Sequence, residues 1–172
     1  MHKLREVNSE KLMNDAGKED VYNLIEWAED TYELNYDTEI LPYIFYNQFY
    51  WAHLGYSVGS EQAYDRPVLV VDCYKTSNVC VIIPITLERL GDGRDYHVDL
   101  SNNLGTALVE QIRAISKFRI FDYVYDKNTR RYAIISSIDR ENINVQLSKI
   151  CCMKPLYQKQ SKNNVVKAID KS

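Results

Sequence analysis

The chain is 172 residues long, 45% of its residues are hydrophobic, and its formal net charge at pH 7 is −3. A chain of this length suits one domain with an appendage, and it can bury a core without disulfides or a structural metal. No stretch approaches the roughly 18 apolar residues of a membrane span, and the N-terminus lacks the apolar core of a signal peptide, so we expect a cytoplasmic protein.

Charge is divided unevenly along the chain. Residues 1–50 carry four Lys/Arg and eleven Asp/Glu, a net charge of −7, whereas residues 51–172 carry 17 and 13, a net charge of +4. A mildly basic body attracts phosphate backbones, and that attraction falls with salt. The same asymmetry is also common in proteins where it serves only solubility, so composition leaves both interpretations open.

The first predicted element is a helix within an acidic extension that covers residues 1–47. Apolar side chains recur at helical spacing in residues 19–34: Val21, Leu24, Ile25, Ala28 and Tyr32. Asp20 suits the cap of this helix. We expect its apolar face to pack against the rest of the chain. The aromatic stretch 41–54 that follows is typical of either an extended lead-in to a strand or a second short helix.

Strand signals dominate the middle of the chain. The segments RPVLVVDCY and NVCVIIPIT predict two buried strands at 66–74 and 78–86, joined by a tight connection at 75–77. A flexible loop with Gly91 and Gly93 follows. Further predicted strands lie at 96–100, 106–115 and 130–138, with 122–129 as a connection between the last two.

The last periodic element is a helix at 139–151. Its Ile143, Leu147 and Ile150 share one face, and Asp139 lies in its first turn. The tail from 156 to 172 is polar and rich in lysine. Many short strands followed by one helix predict a mainly β (α+β) fold, a small, partly open antiparallel barrel with a helix packed on it.

The cysteines and histidines show no metal-binding spacing. No CxxC occurs, and the histidines are scattered, so we expect no zinc site and no other cofactor. We expect all four cysteines to be reduced and partly buried: Cys73, Cys80, Cys151 and Cys152.

Three segments, in this order, resemble the PemK/MazF family of toxin ribonucleases. The first is FYWAHLGYSVGSEQAYDRPVLVV at 49–71, where GSEQ precedes an RP pair that opens a strand. The second is VIIPITLERL at 81–90, a strand that ends in P-x-T. The third is GTALVEQIRAISKFRI at 105–120, with its E-Q-x-R. The resemblance covers roughly residues 48–152.

The resemblance implies an SH3-like barrel at 48–155, flanked by the extension at 1–47 and the tail at 156–172. It also implies an endoribonuclease that cuts single-stranded RNA without a metal, by attack of the ribose 2′-OH. Family members work as homodimers whose RNA groove crosses the interface, and a protein antitoxin blocks that groove.

Three residues match the family's catalytic positions. Arg66 suits a phosphate oxygen with its fork of donors, although an arginine before a strand is otherwise a surface residue. Thr86 would hydrogen-bond the scissile phosphate; strand threonines are also common without any such role. Glu61 would accept the 2′-OH proton or serve only as a solvated loop carboxylate. The residue after Thr86 is small and polar in the family, and Leu87 departs from that pattern.

Three further residues match positions near the RNA: Gln62, Gln111 and Arg113. Gln62 either tightens its loop or touches a base, and Arg113 either binds RNA or forms a structural ion pair. Strand alternation would put Glu110 on the opposite face from Gln111 and Arg113. His53 and His97 match ordinary strand positions of the family, so we interpret both as half-buried strand histidines.

An alternative function is a catalytically inactive SH3-like barrel that binds RNA or a protein partner, since fold does not settle function. The acidic extension adds a second open question. Residues 19–39 contain eight carboxylates and no Lys or Arg, so RNA would repel them. Such a segment would either temper RNA affinity in cis, by lying near the basic body, or be an inert added helix.

Overall fold

The computed structural model describes residues 15–36, 41–126 and 129–152 of the chain. Helix α1 (Asp15–Tyr36) precedes a seven-stranded sheet, and helix α2 (Ser137–Cys151) follows it. Neither helix is long and apolar enough to cross a membrane. The tail predicted at 156–172 and residues 1–14 lie outside the described residues.

The seven strands form one sheet in which every pairing between described residues is antiparallel. In chain order they are β1 (Phe49–His53), β2 (Asp65–Cys73), β3 (Val79–Thr86), β4 (His97–Asp99), β5 (Thr106–Leu108), β6 (Arg113–Ser116) and β7 (Ile120–Tyr123). Their spatial order is β4-β5-β3-β2-β1-β7, and β6 also pairs with β3. This confirms the predicted class, a mainly β (α+β) antiparallel fold with a helix at each end.

The two central strands, β2 and β3, are buried on both faces. Leu69 and Ile83 pack into one core cluster together with Ile143 of α2. Val68 and Ile82 pack into the other cluster, on the opposite face. Because neighbouring side chains of a strand point to opposite faces, a strand covered on both sides needs a continuous apolar run. The runs read from the sequence at 66–74 and 78–86 are therefore confirmed as buried strands.

Strand β3 also explains why the strand predicted at 106–115 is broken. Its residues Ile82 and Ile85 are three positions apart, yet they pair with Arg113 and Ala107, which are six positions apart. A 3-10 turn at Val109–Gln111 accommodates the three extra residues. The strand prediction was wrong here because the break is set by pairing with β3 and not by the local pattern.

The structure also differs from the predictions for the segments 130–138 and 122–129. The strand predicted at 130–138 forms only isolated bridges, Gln48 to Ile134 and Tyr125 to Tyr132. Strand β7 occupies part of the segment taken as a connection. Of the two possibilities left open for the aromatic stretch 41–54, the structure shows the strand, β1.

The prediction of reduced cysteines was wrong for Cys73 and Cys80. Cys73 and Cys80 end the β2–β3 hairpin directly opposite each other, with their Cα atoms 4.3 Å apart, and they form a disulfide. The tight connection at 75–77 produces this register. Cys151 and Cys152 are free thiols, as expected, but they are exposed.

Helix α1 is confirmed, but the face expected to pack against the barrel was wrong. Val21, Leu24 and Ile25 are 36–51% exposed. The half-buried positions of α1 are instead Asn23, Trp27, Thr31 and Leu34, which follow one another at helical spacing. The indole of Trp27 packs against the backbone of Gly55, a contact that the apolar periodicity of the helix does not reveal.

Helix α2 is attached to the barrel by the apolar face that carries Ile143, Leu147 and Ile150 and by hydrogen bonds to Asp139. Ile143 is buried, as its predicted face requires. Asp139 is only 2% exposed, and its Oδ2 accepts hydrogen bonds from the Ser101 amide (3.0 Å) and the Ser101 hydroxyl (2.7 Å). Ser136 caps the helix by accepting a hydrogen bond from the Asp139 amide (3.1 Å).

Asp139→Ala should lower the free energy of unfolding by about 1–3 kcal/mol, because it removes the buried carboxylate that accepts two hydrogen bonds from Ser101. Urea denaturation of the whole chain measures this change. Glu141→Ala removes an exposed carboxylate from the same end of α2 and should change stability by less than about 0.5 kcal/mol. Equal effects of the two substitutions would contradict a specific role for Asp139.

Candidate active site

A cavity of about 800 Å³ opens where β2 begins and β3 ends. Arg66 and Thr86 both line it. Their proximity follows from strand register: β2 and β3 pair Val68 with Pro84, and two further steps along each strand bring Arg66 opposite Thr86. Two residues that are 20 positions apart in the sequence therefore meet at one cavity.

Arg66 is held by one of its nitrogens. Its Nε donates a hydrogen bond of 2.9 Å to the carbonyl oxygen of Ala63. Neither of its terminal nitrogens has a hydrogen bond within the described part of the chain. These terminal N–H groups can therefore bind the oxygens of an incoming anion in the bidentate manner of guanidinium groups.

Thr86 is almost fully buried, at 3% exposure. Its Oγ1 accepts a hydrogen bond from the Glu88 amide (3.2 Å), so the hydroxyl proton remains available as a donor. Gly105 packs directly against the backbone of Thr86, with a φ of +119°, and a Cβ at that position would collide with the Thr86 carbonyl oxygen. Any other residue at position 105 would therefore push against the backbone of Thr86, the last residue of β3. Leu87, the next residue, is exposed.

The wall of the cavity is acidic. Arg66 is the only Lys or Arg among the described residues that line it, and four carboxylates accompany it: Asp65, Glu88, Asp122 and Asp126. Asp65 is paired with His53, whose Nδ1 lies 2.5 Å from its Oδ1. This charge balance favours one bound phosphate at Arg66 and disfavours several.

Aromatic rings also border the cavity. Trp51, Tyr123 and Tyr125 line it, and Tyr123 stacks on Tyr132 with ring centroids 4.4 Å apart. Burial raises the pKa of Tyr123, and the neighbouring Tyr132 raises it further, so its hydroxyl stays protonated at neutral pH. Flat rings of this kind can stack on nucleobases whatever the base sequence.

The other four predicted site residues form a second cluster around the loop that joins β1 to β2 (residues 54–64). Glu61 and Gln62 belong to this loop, whereas Gln111 of the 3-10 turn and Arg113 of β6 contact it. Gln111 accepts a hydrogen bond from the Gln62 amide (2.7 Å) and donates one to the Ser60 carbonyl (3.2 Å). Arg113 donates to the Gln62 carbonyl (2.7 Å). Burial lowers the pKa of Arg113, an effect that nearby Glu61 opposes. Glu61 itself is exposed.

The structure therefore brings Arg66 and Thr86 together, and it brings Glu61, Gln62, Gln111 and Arg113 together, but the second group does not line the cavity. The carbonyl of Ala63 connects the loop to Arg66. Strand alternation does not apply to Glu110 and Gln111, because both lie in the 3-10 turn and not in a strand. Gln111 and Arg113 support the loop; their contact with RNA stays a prediction.

Both histidines match their interpretation as strand residues. His97, in β4, is only 9% exposed at its side chain and lies between Asp92 (2.9 Å) and Glu110 (3.2 Å). Desolvation would raise the pKa of Asp92, but the Arg94 amide and His97 together lower it. His53 stacks on Phe121, with centroids 4.2 Å apart. Within the described ranges, no cluster of three or more His, Cys, Asp or Glu side chains could hold a metal ion.

Sequence reasoning missed several residues of the cavity. Asp65 had one usable signal, since it directly precedes Arg66 at the start of β2. Trp51, Asp122 and Tyr125 had none, because they reach the cavity only through the pairing of β7 with β1.

Comparisons with known proteins give one family. Residues 47–151 match the model of the PemK-like, MazF-like toxin of type II toxin-antitoxin systems. A crystal structure of MazF from Deinococcus radiodurans is similar at 19% identity, with 64% of this chain and 97% of that chain covered and a TM-score of 0.49. A MazE-MazF structure (Form-II) from the same organism gives 20% identity, 65% and 99% coverage and a TM-score of 0.46. No curated protein matched the chain.

Proposed function

Because this chain belongs to the PemK-like, MazF-like toxin family of type II toxin-antitoxin systems, we propose that it is a toxin endoribonuclease that cuts single-stranded RNA without a metal. The observation that carries the proposal is that Arg66 and Thr86, from two separate motifs, line one cavity. The barrel at 48–155 is the catalytic domain, and the segments 1–47 and 156–172 flank it. The enzyme acts on messenger RNA in the cytoplasm.

In the proposed reaction, the ribose 2′-OH attacks the adjacent phosphorus. A P–O2′ bond forms, the P–O5′ bond breaks, and the leaving 5′-oxygen takes up a proton. Arg66 binds the phosphate oxygens through its terminal N–H groups, and Thr86 donates a hydrogen bond from its hydroxyl to the same phosphate. Each such donor contributes roughly 10²–10³-fold to the rate. Guanidinium hardly deprotonates, so Arg66 acts through its charge and not as a proton donor.

The base that accepts the 2′-OH proton is a carboxylate. Glu61 matches the family position and lies in the β1–β2 loop, next to the loop residues that Gln111 and Arg113 hold. Asp65 lines the cavity itself, but His53 already occupies one of its oxygens. We assign the role to Glu61, which is exposed and whose Oε2 is engaged only by a longer hydrogen bond, 3.4 Å from the Val58 amide.

The partners follow from the family and from charge. Four carboxylates surround Arg66, so one chain offers a poor surface for a run of phosphates. A second copy would supply further basic residues, which favours a homodimer with an RNA groove across it. A protein antitoxin would block that groove. Gln62 of the β1–β2 loop and its partners Gln111 and Arg113 contact RNA in this proposal.

The same acidic wall favours a second candidate function. A barrel with one arginine among four carboxylates, and with Leu87 where the family has a small polar residue, suits a module that binds RNA or a protein without cutting it. Binding of RNA by a purified chain that leaves the RNA intact would favour this alternative.

Cleavage of a long single-stranded RNA should persist in EDTA and leave a 2′,3′-cyclic phosphate and a 5′-OH. Arg66→Ala and Thr86→Ala should each slow it at least roughly tenfold, because each removes one donor to the phosphate. Arg140→Ala, which removes an exposed arginine from α2, is the matched control. Recovery of 5′-phosphate ends, or a Mg²⁺ requirement, would rule out attack by the 2′-OH.

Two carboxylate substitutions decide the identity of the base. Glu61→Gln should slow cleavage on the order of 10²-fold or more, because general-base catalysis contributes at least that much. Asp65→Asn should slow cleavage less than about threefold if Asp65 only pairs with His53. The measurement is the single-turnover cleavage rate of each variant. A larger loss of rate in Asp65→Asn than in Glu61→Gln would assign the base to Asp65.

The purified chain should be a homodimer at micromolar concentration, since a second copy is needed to offset the acidic wall of the cavity. Light scattering measures the mass directly, to be compared with 20.1 kDa for one chain. An active monomer would contradict the proposal that the RNA groove spans two copies.

A further inference from the structure

Helix α1 lies outside the residues that match the family, yet it packs on the loop that carries Glu61. The contact is made by Trp27, whose indole lies against the backbone of Gly55. Gly55 has a φ of +85°, and a Cβ there would collide with the indole ring. Only glycine accepts both this backbone conformation and this neighbour. The first residues of the β1–β2 loop are therefore shaped to receive Trp27.

The same indole covers an arginine that binds the loop. The guanidinium carbon of Arg119 lies 4.9 Å from the centroid of the Trp27 ring, a cation–π distance. Its Nη1 donates hydrogen bonds to the carbonyls of His53 (3.4 Å) and Leu54 (3.3 Å), where the loop begins. Loss of the indole would expose Arg119 to water, which competes for these N–H groups.

The far end of the loop also contacts α1. The Asn23 side chain donates a hydrogen bond of 3.4 Å to the Tyr64 hydroxyl. Tyr64 closes the loop, because its amide bonds to the Gly55 carbonyl (2.8 Å) and its carbonyl accepts from the Leu54 amide (2.9 Å). Helix α1 thus contacts both ends of the loop, while Gln111 and Arg113 hold its inner side.

We infer that Trp27 is a positioning residue, which holds the β1–β2 loop so that Glu61 lies in reach of the bound ribose. The inference rests on the proposed function. It assigns to helix α1 of the N-terminal extension a role in catalysis, which is to position the loop that carries Glu61. It differs from the expectation that the acidic helix tempers activity in cis. The acidic side chains of α1 that the structure describes are exposed to solvent, and no ion pair between described residues joins them to the barrel.

Amide hydrogen exchange of the full chain tests the contact without any RNA. Trp27→Ala should speed exchange of the Leu54 and Tyr64 amides about tenfold, because the loop loses the indole and the shielded Arg119. Trp27→Phe keeps a ring and should restore most of the protection. Tyr22→Ala, on the exposed side of α1, is the matched control and should change nothing. Unchanged exchange in Trp27→Ala would overturn the inference.

RNA cleavage tests whether the position of the loop matters to the reaction. Trp27→Ala should slow single-turnover cleavage about tenfold, but less than about twofold in a Glu61→Gln background, because both changes remove the same contribution. Equal effects in both backgrounds, or faster cleavage by Trp27→Ala, would overturn the positioning role alone. A wild-type chain that cuts no RNA would overturn this role together with the proposed function, whatever the exchange experiment gives.

Discussion

The register between β2 and β3 is the constraint on which the rest of the site depends. Pairing of Val68 with Pro84 brings Arg66 opposite Thr86. A slip of one residue would turn every side chain of either strand to the other face and would divide both core clusters. The apolar residues that bury β2 and β3 on both sides therefore also determine which two polar groups meet at the cavity. The same apolar packing therefore stabilises the sheet and places Arg66 next to Thr86.

A second constraint acts on the β1–β2 loop. The barrel holds its inner side through Gln111 and Arg113, and helix α1 covers its ends through Trp27. A loop with an exposed carboxylate such as Glu61 needs such support, because general-base catalysis depends on position. In the proposed mechanism the cavity would supply the charge for phosphate binding and the loop would supply the base, and the hydrogen bond from Arg66 to the Ala63 carbonyl links the two.

Much of the fold could be predicted because its long elements carry strong patterns, which are continuous apolar runs at 66–74 and 78–86 and a helical periodicity at 139–151. The short strands could not, since the break at Val109–Gln111 depends on pairing with β3. The packing face of α1 could not either, because Trp27 finds its partner Gly55 far along the chain. Motif resemblance indicated Arg66 and Thr86, but the acidic side chains around them come from separate segments and follow only from the fold.

The central claim is that Arg66 and Thr86 act on the same phosphate, and a double-mutant cycle on RNA cleavage tests it most directly. Rates are measured for Arg66→Ala, Thr86→Ala and the double variant under single-turnover conditions. Groups that act as one unit are strongly non-additive, so the double variant should cleave only a few-fold more slowly than the slower single variant. A double variant whose loss equals the product of the two single losses would contradict a shared phosphate site.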